Sequence, residues 1–414
     1  MSETVRSTLN ALELAGVRKG AHGRTVDERL ERMRAAVELG VDAAKAVSVT
    51  AMEALRESAK FMGVVGSRGE LVDPFHTVDA QVWPEPELPE PLLEAAYDYC
   101  EELTKREAGN FYHSFKYLPT EERRSICAYY AFCRRADDIA DDDYNDRFPG
   151  SLGADDPEVQ EYLSSIQSIS GANPVVDKKH FEDKMAQLFF FRKKLSTAYN
   201  CLASTDPIFM ALKHTVSKYG IPKTYMDDMI TGMEEDFYRN RYETFEDLYT
   251  YCYRVASVVG LTCIEIYGYK DDIAKDHAEA WGIFMQMGNI LRDVAEDAAN
   301  NRIYLPLEEL ARFGITEEDV LAGNSLLDHE GWTPFVEHFI SLADTYRVKA
   351  EKLLPLLDKR SRYSPAAMMA VYDSVFKKIQ RSGGDVFTNR VKLSKTEKLW
   401  LAGVLYTKHR FFAR

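Results

Sequence analysis

The sequence lacks an excess of basic residues: 52 Lys and Arg stand against 66 Asp and Glu, for a formal net charge of −14 at pH 7. Proteins that bind nucleic acid do so largely by neutralising phosphates with Lys and Arg. The charge therefore excludes a general nucleic-acid partner. A small anionic substrate is compatible with this charge where cations bridge the substrate to the protein.

Long apolar runs are also missing. No run reaches the ~18–20 residues that a membrane-spanning helix needs, and residues 1–40 hold no apolar segment of the kind found in a signal peptide. These two absences predict a cytoplasmic protein. The six cysteines form no C-x-x-C pair, which favours reduced core residues over a metal site or a disulfide framework.

Three segments differ in composition. Residues 1–70 carry polar amphipathic helix patterns and predict a helical N-terminal extension, either a surface appendage or an arm for a partner that the sequence does not identify. The proline-rich residues 71–91 predict a linker, because proline removes a backbone donor and restricts its neighbour. Residues 92–414 predict the folded domain. Its basic, aromatic end after Thr388 suits peripheral contact with an anionic membrane surface, and a solvated tail is the alternative.

Helix-period patterns follow one another from Leu92 onward with few strand signals. Together with the 45% apolar content, they predict an all-α fold, a single large multi-helix bundle that buries the apolar faces. The abundance of Asp, Gly, Pro and Ser over 142–179 predicts a mobile loop. Helices are predicted over 92–107, 121–141, 180–203, 207–218, 223–236, 245–266, 272–300, 332–357 and 365–379.

Two acidic stripes are the strongest functional signal. The first contains Asp137 and Asp141, and the second contains Asn289, Asp293 and Asp297, each at four-residue steps that place the side chains on one face of a helix. Like-charged acids one turn apart are costly unless a cation lies between them. Mg²⁺ takes one or two carboxylates directly and completes its shell with water and phosphate oxygens. Two such stripes facing one another predict a diphosphate site.

Spacing alone does not identify this site, because Asp272 and Asp276 repeat it in a polar junction. Both stripes, by contrast, lie in apolar helical segments and are flanked by arginine, Arg134 in the first and Arg292 in the second. Guanidinium groups beside Mg²⁺-binding carboxylates suit a ligand with several phosphate oxygens. The combination of an apolar helix, an acidic ladder and arginine is therefore the signal.

Five motifs occur together in a recognisable order. They are residues 130–141, 249–260, 289–297, 302–306 and 385–391. With these motifs the chain resembles the squalene synthase and phytoene synthase family of trans-isoprenyl diphosphate synthases, which join two prenyl diphosphates head to head. The resemblance covers roughly Leu92 to Gly403 and implies the isoprenoid-synthase bundle with its central cavity.

The resemblance also implies the metal ligands. Asp137 and Asp141 match the first metal-binding acids, and Asn289, Asp293 and Asp297 match the second set. The implied cofactor is Mg²⁺, with Mn²⁺ as the metal that would replace it.

Further positions match residues that bind the prenyl diphosphate substrates or line the reaction cavity. Gln286 lies near the second substrate, and Tyr249 lines the cavity, where it stabilises cation charge or helps to move a proton. The implied catalytic set is Tyr249, Asp137, Asp141, Asp293 and Arg302. The residues that the resemblance assigns to diphosphate binding are Tyr130, Arg134, Arg302, Tyr372 and Arg390.

The implied reaction runs through a cyclopropylcarbinyl diphosphate. The motif wording resembles phytoene synthases and bacterial squalene-pathway relatives more than eukaryotic squalene synthases, and the favoured reaction converts two geranylgeranyl diphosphates to phytoene. The alternative is a C15-using relative that makes presqualene diphosphate, hydroxysqualene, dehydrosqualene or squalene. Only squalene would need NADPH, and the sequence has no G-x-G-x-x-G after a strand, which weakly disfavours that cofactor.

Two readings lie outside this reaction. A class I terpene cyclase would act on one diphosphate, and the set of Arg302, Tyr372 and Arg390 argues against it. A non-catalytic helical scaffold would recruit partners through residues 1–70, and the intact acids of both stripes argue against that function.

Overall fold

The computed structural model describes residues 90–397 apart from 109, 116, 141–155, 171–175, 201–203, 205, 389 and 395. The described residues form helices and contain no β-strand, which confirms the predicted all-α class. In chain order the α-helices are α1 Glu90–Glu107, α2 Asn110–Phe115, α3 Thr120–Ala140, α4 Pro157–Ser170, α5 Lys178–Tyr199, α6 Pro207–Tyr219, α7 Lys223–Glu235, α8 Phe245–Cys252, α9 Val258–Tyr267, α10 Ile273–Ala299, α11 Leu307–Ala311, α12 Glu317–Leu321, α13 Trp332–Glu351 and α14 Tyr363–Arg381.

The chain divides into two compact units. The first takes its described residues from Met1–Gly109, Arg124–Ile166 and Glu182–Ile221. Its core is aromatic: Phe132 of α3 stacks on Phe191 of α5 with 5.0 Å between ring centroids, and Phe209 of α6 meets both rings edge-on. Such ring pairs add to the burial of apolar area, so the apolar run before the first acidic stripe anchors α3.

The second unit comprises Asn110–Arg123, Gln167–Phe181 and Pro222–Arg414. Its longest helix, α10, has buried side chains along most of its length, from Ala274 to Ala298. Helices α9, α13 and α14 pack against it, and Phe284 of α10 meets Phe376 of α14 at 5.0 Å. The second acidic stripe therefore lies on a helix that the core holds in place.

A π-helical turn interrupts the helix predicted over 245–266. It spans Tyr253–Ser257, between α8 and α9. The cause lies on the facing helix, because a Cβ at Gly282 would lie 2.4 Å from the Cα of Ser257. The wider turn thus approaches α10 where no side chain stands between the backbones, and Ser257 Oγ donates to Glu279 O at 2.8 Å. The segment predicted as a helix over 245–266 is therefore helical throughout, with one π-helical turn that the sequence did not predict.

The prediction of a loop over 142–179 is wrong for Pro157–Ser170, which forms α4. Asp156 accepts a hydrogen bond from Glu158 N at 2.9 Å, and Pro157 occupies the first turn, where proline is tolerated. Val159, Leu163 and Ile166 then supply a buried apolar face at helical spacing. These three apolar residues are enough to pack the helix against the protein, because the polar residues of the segment lie on its other, outer face.

Other boundaries agree more closely. Helix α1 begins at Glu90, two residues inside the linker predicted over 71–91, and Pro91 fits its first turn. The N-terminal extension over 1–70 and the basic end of the chain beyond residue 397 lie outside the described residues, so their predicted roles stay predictions. The five described cysteines are free thiols, as expected. Within the described ranges, no helix is long and apolar enough to cross a membrane.

Candidate active site

The first acidic stripe lies at the C-terminal end of α3. Arg134 pairs with Asp137 at 2.9 Å and with Asp138 at 2.5 Å, one turn further along the same helix. Lys184 of α5 is buried and donates to Ile139 O, where a cation stabilises the negative end of a helix. The predicted ligand Asp141 lies outside the described residues. The structure thus brings together one of the two predicted acids, Asp137, and the predicted diphosphate ligand Arg134.

Two side chains on α3 near the first stripe, Tyr130 and Asp138, have raised pKa values. Burial is the main cause that raises the pKa of Tyr130 to about 12, although the charge of Arg134 opposes it. Burial likewise raises the pKa of Asp138, against the effect of its hydrogen bond with Arg134. Both shifts disfavour the anion, so this end of α3 would gain from a further positive charge.

The second stripe occupies one face of α10. Tyr372 of α14 donates to Asn289 Oδ1 at 2.9 Å, and Asn289 Nδ2 donates to Gln286 Oε1 at 3.0 Å. Helix α14 can approach α10 closely because residue 288 is glycine; a Cβ at this position would lie 3.0 Å from the Tyr372 ring. Sequence analysis predicted Gln286, Asn289 and Tyr372 as site residues, and the structure joins all three in one hydrogen-bonded chain.

The pKa values of Asp293 and Asp297 shift in opposite directions. Arg292 pairs with both oxygens of Asp293, and Arg390 donates to Asp293 Oδ1 at 3.0 Å. Desolvation alone would raise the pKa of Asp293, but the two arginines outweigh it and lower the pKa. Desolvation and the nearby negative charge of Asp293 raise the pKa of Asp297 to about 7. Arginines therefore contact Asp293 at the centre of the stripe, whereas at its C-terminal end the charge of Arg302 only partly offsets the raised pKa of Asp297.

The side chains on this face of α10 carry the type of ligand atom that Mg²⁺ binds. Asn289, Asp293 and Asp297 offer only carboxamide and carboxylate oxygens, which Mg²⁺ prefers. Among the described residues, none donates a hydrogen bond to the Asp297 carboxylate or forms an ion pair with it, although the charge of Arg302 acts on it. Within the described ranges, no three His, Cys, Asp or Glu side chains cluster as a metal site. A cation here would complete its shell with water or phosphate oxygens.

Arg302 lies beyond α10 in a cluster of polar aromatic residues. Its guanidinium donates to Asp236 O at 3.2 Å. Tyr304 OH donates to Asp236 Oδ1 at 2.8 Å, and Tyr251 OH lies 3.3 Å from Asp236 Oδ2. Arg302 and Tyr304 also line a small pocket together with Asp297. The predicted diphosphate ligand Arg302 therefore lies at the end of the second stripe.

Sequence analysis missed Asp236 and Tyr251 as members of this cluster. Tyr251 follows Tyr249 by two residues in the motif over 249–260, and a half-turn difference on a helix decides which of the two faces the core. Asp236 ends the acidic run that follows Met233. An acid at the last position of the helix predicted over 223–236 was the available signal, but nothing in the sequence joins it to Arg302, 66 residues away.

Tyr249 has different neighbours. Its hydroxyl donates to Glu279 Oε1, and its ring lies 6.2 Å from Tyr346. Burial and the hydrogen bond to Glu279 raise its pKa above the usual value of a phenol. Within the described residues, its hydroxyl therefore contacts none of the predicted metal or diphosphate ligands.

The acids of residues 271–276, which repeat the four-residue spacing of the stripes, are exposed as their polar context predicted. Asp271, Asp272 and Asp276 are exposed, whereas Asp293 and Asp297 are partly buried. Exposed acids are solvated and need no cation. The contrast between two ladders of equal spacing supports the use of context to identify the site.

The raised pKa of Asp236 predicts how the free energy of unfolding changes with pH. Desolvation raises its pKa to about 6, against the charge of Arg302 and the hydrogen bonds from Tyr304 and Tyr251. The folded protein thus binds this proton more tightly than the unfolded chain, whose aspartates titrate near pH ~3.9. The associated stability is fully present below that pH and is lost as the pH rises through about 6. Asp236→Asn should remove about 3 kcal/mol of the loss between acidic and alkaline pH.

The measurement is urea unfolding of both proteins with a chelator present, at several pH values on either side of the Asp236 transition. The difference in unfolding free energy between variant and wild type isolates this one carboxyl from the other acids. Parallel pH curves for the two proteins would show that Asp236 ionises in the fold as it does in the unfolded chain.

Comparisons with known proteins identify the family and the fold. The sequence model of the squalene/phytoene synthase family matches residues 104–397. Chloroplastic phytoene synthase 2 of Solanum lycopersicum is 30% identical over 323 residues, which are 77% of this chain and 92% of that one. The 15-cis-phytoene synthase of Synechococcus elongatus is 31% identical over 319 residues, 74% of this chain and 91% of that one. A crystal structure of a dehydrosqualene synthase in complex with ligand matches with a TM-score of 0.62 at 25% identity, over 77% of this chain and 98% of that one.

The helices, the acidic ladder and the solved structure define the all-α isoprenoid-synthase class. The chain belongs to the squalene/phytoene synthase family. It is an enzyme of the prenyltransferase type, and the chemistry of this family is head-to-head condensation of prenyl diphosphates. The predicted family, fold class and enzyme class are confirmed.

Proposed function

We propose that this enzyme joins two geranylgeranyl diphosphate molecules and forms phytoene through a cyclopropylcarbinyl diphosphate, in a reaction that depends on Mg²⁺. The observation that carries the proposal is the ladder of oxygen donors on α10, with Arg292 and Arg390 on its central Asp293. Oxygen ligands beside guanidinium groups suit a diphosphate held by metal. The similarity to phytoene synthases supports a C20 substrate.

Asn289, Asp293 and Asp297 of α10 would form one set of metal ligands, and Asp137 with Asp141 would form a second set. When bound, Mg²⁺ neutralises the charge that develops on the departing diphosphate, and Mn²⁺ accepts the same oxygen ligands. Tyr372 supports this set by holding the Asn289 side chain in one orientation. The raised pKa of Asp297 agrees with a carboxyl placed where a cation is expected.

The remaining polar residues would bind and orient the two substrates. Arg302 and Arg390 would hold diphosphate oxygens beside the second stripe, and Tyr130 with Arg134 would do so beside the first. Held charges of this kind act without reorganising during the reaction and fix the reacting carbons in position. Gln286 and Tyr249 are proposed to line the space for the prenyl chains.

A second candidate is a C15-using relative that condenses farnesyl diphosphate. The structural match to a dehydrosqualene synthase favours it. The two candidates share the ionisation chemistry and differ in the length of the prenyl chain and in how the last cation is quenched. Loss of a proton gives phytoene or dehydrosqualene, addition of water gives hydroxysqualene, and hydride from NADPH gives squalene.

The test is incubation of the purified protein with Mg²⁺ and either geranylgeranyl or farnesyl diphosphate, with and without NADPH, followed by mass spectrometry of the extracted products. We expect phytoene from geranylgeranyl diphosphate, with a yield that NADPH does not change and that a chelator removes. A C30 product from farnesyl diphosphate at higher kcat/KM would favour the second candidate. Absence of any condensed product from either substrate would refute both.

A further inference from the structure

An irregular segment follows α7 and runs beside the turn that carries Arg302. Ile303 N donates to Asn240 O at 2.9 Å, and Arg241 forms a parallel bridge with Ile303. Within the turn, Asn301 adopts a left-handed φ of 56°, a conformation that costs energy for a residue other than glycine. Such a backbone persists only where its surroundings hold it, so the segment after α7 is expected to fix the turn.

Arg241 supplies much of that support. Its Nη1 donates to Asn301 O at 2.7 Å, and its Nη2 donates to Asn301 Oδ1 at 2.9 Å. Glu317 accepts from its Nε at 2.6 Å and holds the guanidinium in place. The main chain of the turn is therefore fixed from the side that faces Arg241.

Asp236, at the start of the same segment, holds the side chains that leave this turn. Its carbonyl oxygen accepts from Arg302 at 3.2 Å, and its carboxylate accepts from Tyr304 at 2.8 Å. Tyr251 contributes a third donor from the end of α8. One residue thus contacts a guanidinium through its main chain and two buried phenols through its side chain.

The carboxylate also acts on Arg302 through its charge. The guanidinium of Arg302 is the strongest single group that opposes the desolvation of Asp236. The rings around the carboxylate exclude water: Tyr251 lies 5.0 Å from Tyr304, and Tyr242, which is fully buried, lies 5.5 Å from Tyr304. Charges attract more strongly where water is excluded, so the carboxylate restricts the orientations that Arg302 can adopt.

We propose that Asp236 is a positioning residue that orients Arg302 for diphosphate binding, through its contacts with the Arg302 guanidinium and with the Tyr304 and Tyr251 hydroxyls. The inference rests on the proposed function, in which Arg302 binds diphosphate oxygens. Asp236 itself does not touch the substrate. Its contribution is that Arg302 is held ready before the substrate arrives, which lowers the entropic cost of binding.

A merely structural carboxylate would also make these contacts, and a double-mutant cycle separates the two roles. If Asp236 acts through Arg302, then Asp236→Asn weakens diphosphate binding only while Arg302 is present. If Asp236 only stabilises the fold, its effect on binding is the same with and without Arg302. Asparagine keeps the size of the side chain and an acceptor oxygen but removes the charge.

The experiment measures the affinity of the full-length protein for inorganic pyrophosphate in the presence of Mg²⁺, by calorimetry, in the wild type, Asp236→Asn, Arg302→Ala and the double variant. We expect Asp236→Asn to raise the dissociation constant about tenfold and to raise KM similarly, with a smaller effect on kcat. Adding the change to Arg302→Ala should have no further effect. Asp227→Asn is the matched control, because Asp227 lies on α7 and pairs with Lys223 at 2.8 Å rather than with Arg302.

Tyr304→Phe keeps the carboxylate and removes one of its donors, so it serves as the second variant if Asp236→Asn fails to fold. It should raise the dissociation constant about threefold, and this effect should also vanish in the Arg302→Ala background. Additive effects in either cycle, or unchanged binding in both single variants, would overturn the inference. Unchanged binding in Arg302→Ala would also overturn it. The product assay is independent of these outcomes, so a wild type without prenyl product marks failure of the proposed function instead.

Discussion

Asp293→Ala is expected to reduce kcat/KM for condensation by about 10³-fold or more, which corresponds to about 4 kcal/mol of lost transition-state stabilisation. Asp293 is the central oxygen donor of the α10 ladder, and it also holds Arg292 and Arg390. Removing it takes away a metal ligand and frees two cations that would otherwise be fixed next to the diphosphate. The measurement is product formation from labelled substrate, with circular dichroism to follow helix content.

Two further variants make this result interpretable. Asp137→Ala on α3 should cause a loss of similar size, because the first stripe is proposed to hold metal in the same way. Asp272→Ala belongs to the exposed ladder of equal spacing and should leave activity within about twofold, since exposed surface changes have small effects. Near-normal turnover by Asp293→Ala or Asp137→Ala, with intact helix content, would contradict the proposed roles of both stripes.

Periodicity in the sequence predicted the helices whose buried faces are continuous. The pattern over 207–218 matches Pro207–Tyr219, because Asp206 caps the start by accepting from Ile208 N and Gly220 ends the helix at a φ of 62°. Local capping and apolar spacing are both visible in the sequence, and together they predict the bounds of this helix without knowledge of its tertiary contacts. The same holds for α10, predicted over 272–300 and observed at Ile273–Ala299.

The parts of the site that depend on distant contacts could not be predicted. The second stripe could be predicted, because its residues share one helix, their spacing places them on one face, and the apolar context with arginine distinguishes them from the exposed acids. Asp236 and Tyr304 are 68 residues apart, and only the fold brings them together. The π-helical turn also has a tertiary cause, since its partner Gly282 lies on α10 and leaves no mark in the local pattern of residues 253–257.

Gly282→Ala is expected to destabilise the protein by about 3 kcal/mol, although alanine is intrinsically the better helix former by about 1 kcal/mol. The added Cβ would lie 2.4 Å from Ser257 Cα, 2.5 Å from Ser257 N and 2.6 Å from Ala256 C. All three neighbours are backbone atoms, so no side chain can rotate to relieve the clash. The π-helical turn and α10 must therefore move apart.

That movement should also reduce activity, because Asn289 lies two helical turns beyond Gly282 on the same helix. A displacement of about 1 Å in a catalytic arrangement can cost about 10²-fold in rate. The measurements are the urea midpoint of Gly282→Ala and its kcat with saturating substrate. Both should fall together, and addition of metal with pyrophosphate should restore part of the stability, since ligands that bind only the folded state stabilise it.

Gly260→Ala provides the graded control where α9 packs on α10. Its Cβ would lie 3.0 Å from Ala278 O, so the two helices must separate by only a few tenths of an ångström. We expect a change in unfolding free energy within about 1 kcal/mol for this variant, and little change in kcat. If Gly282→Ala proves as stable and as active as Gly260→Ala, then the close approach of the π-helical turn to α10 does not set the position of the second stripe.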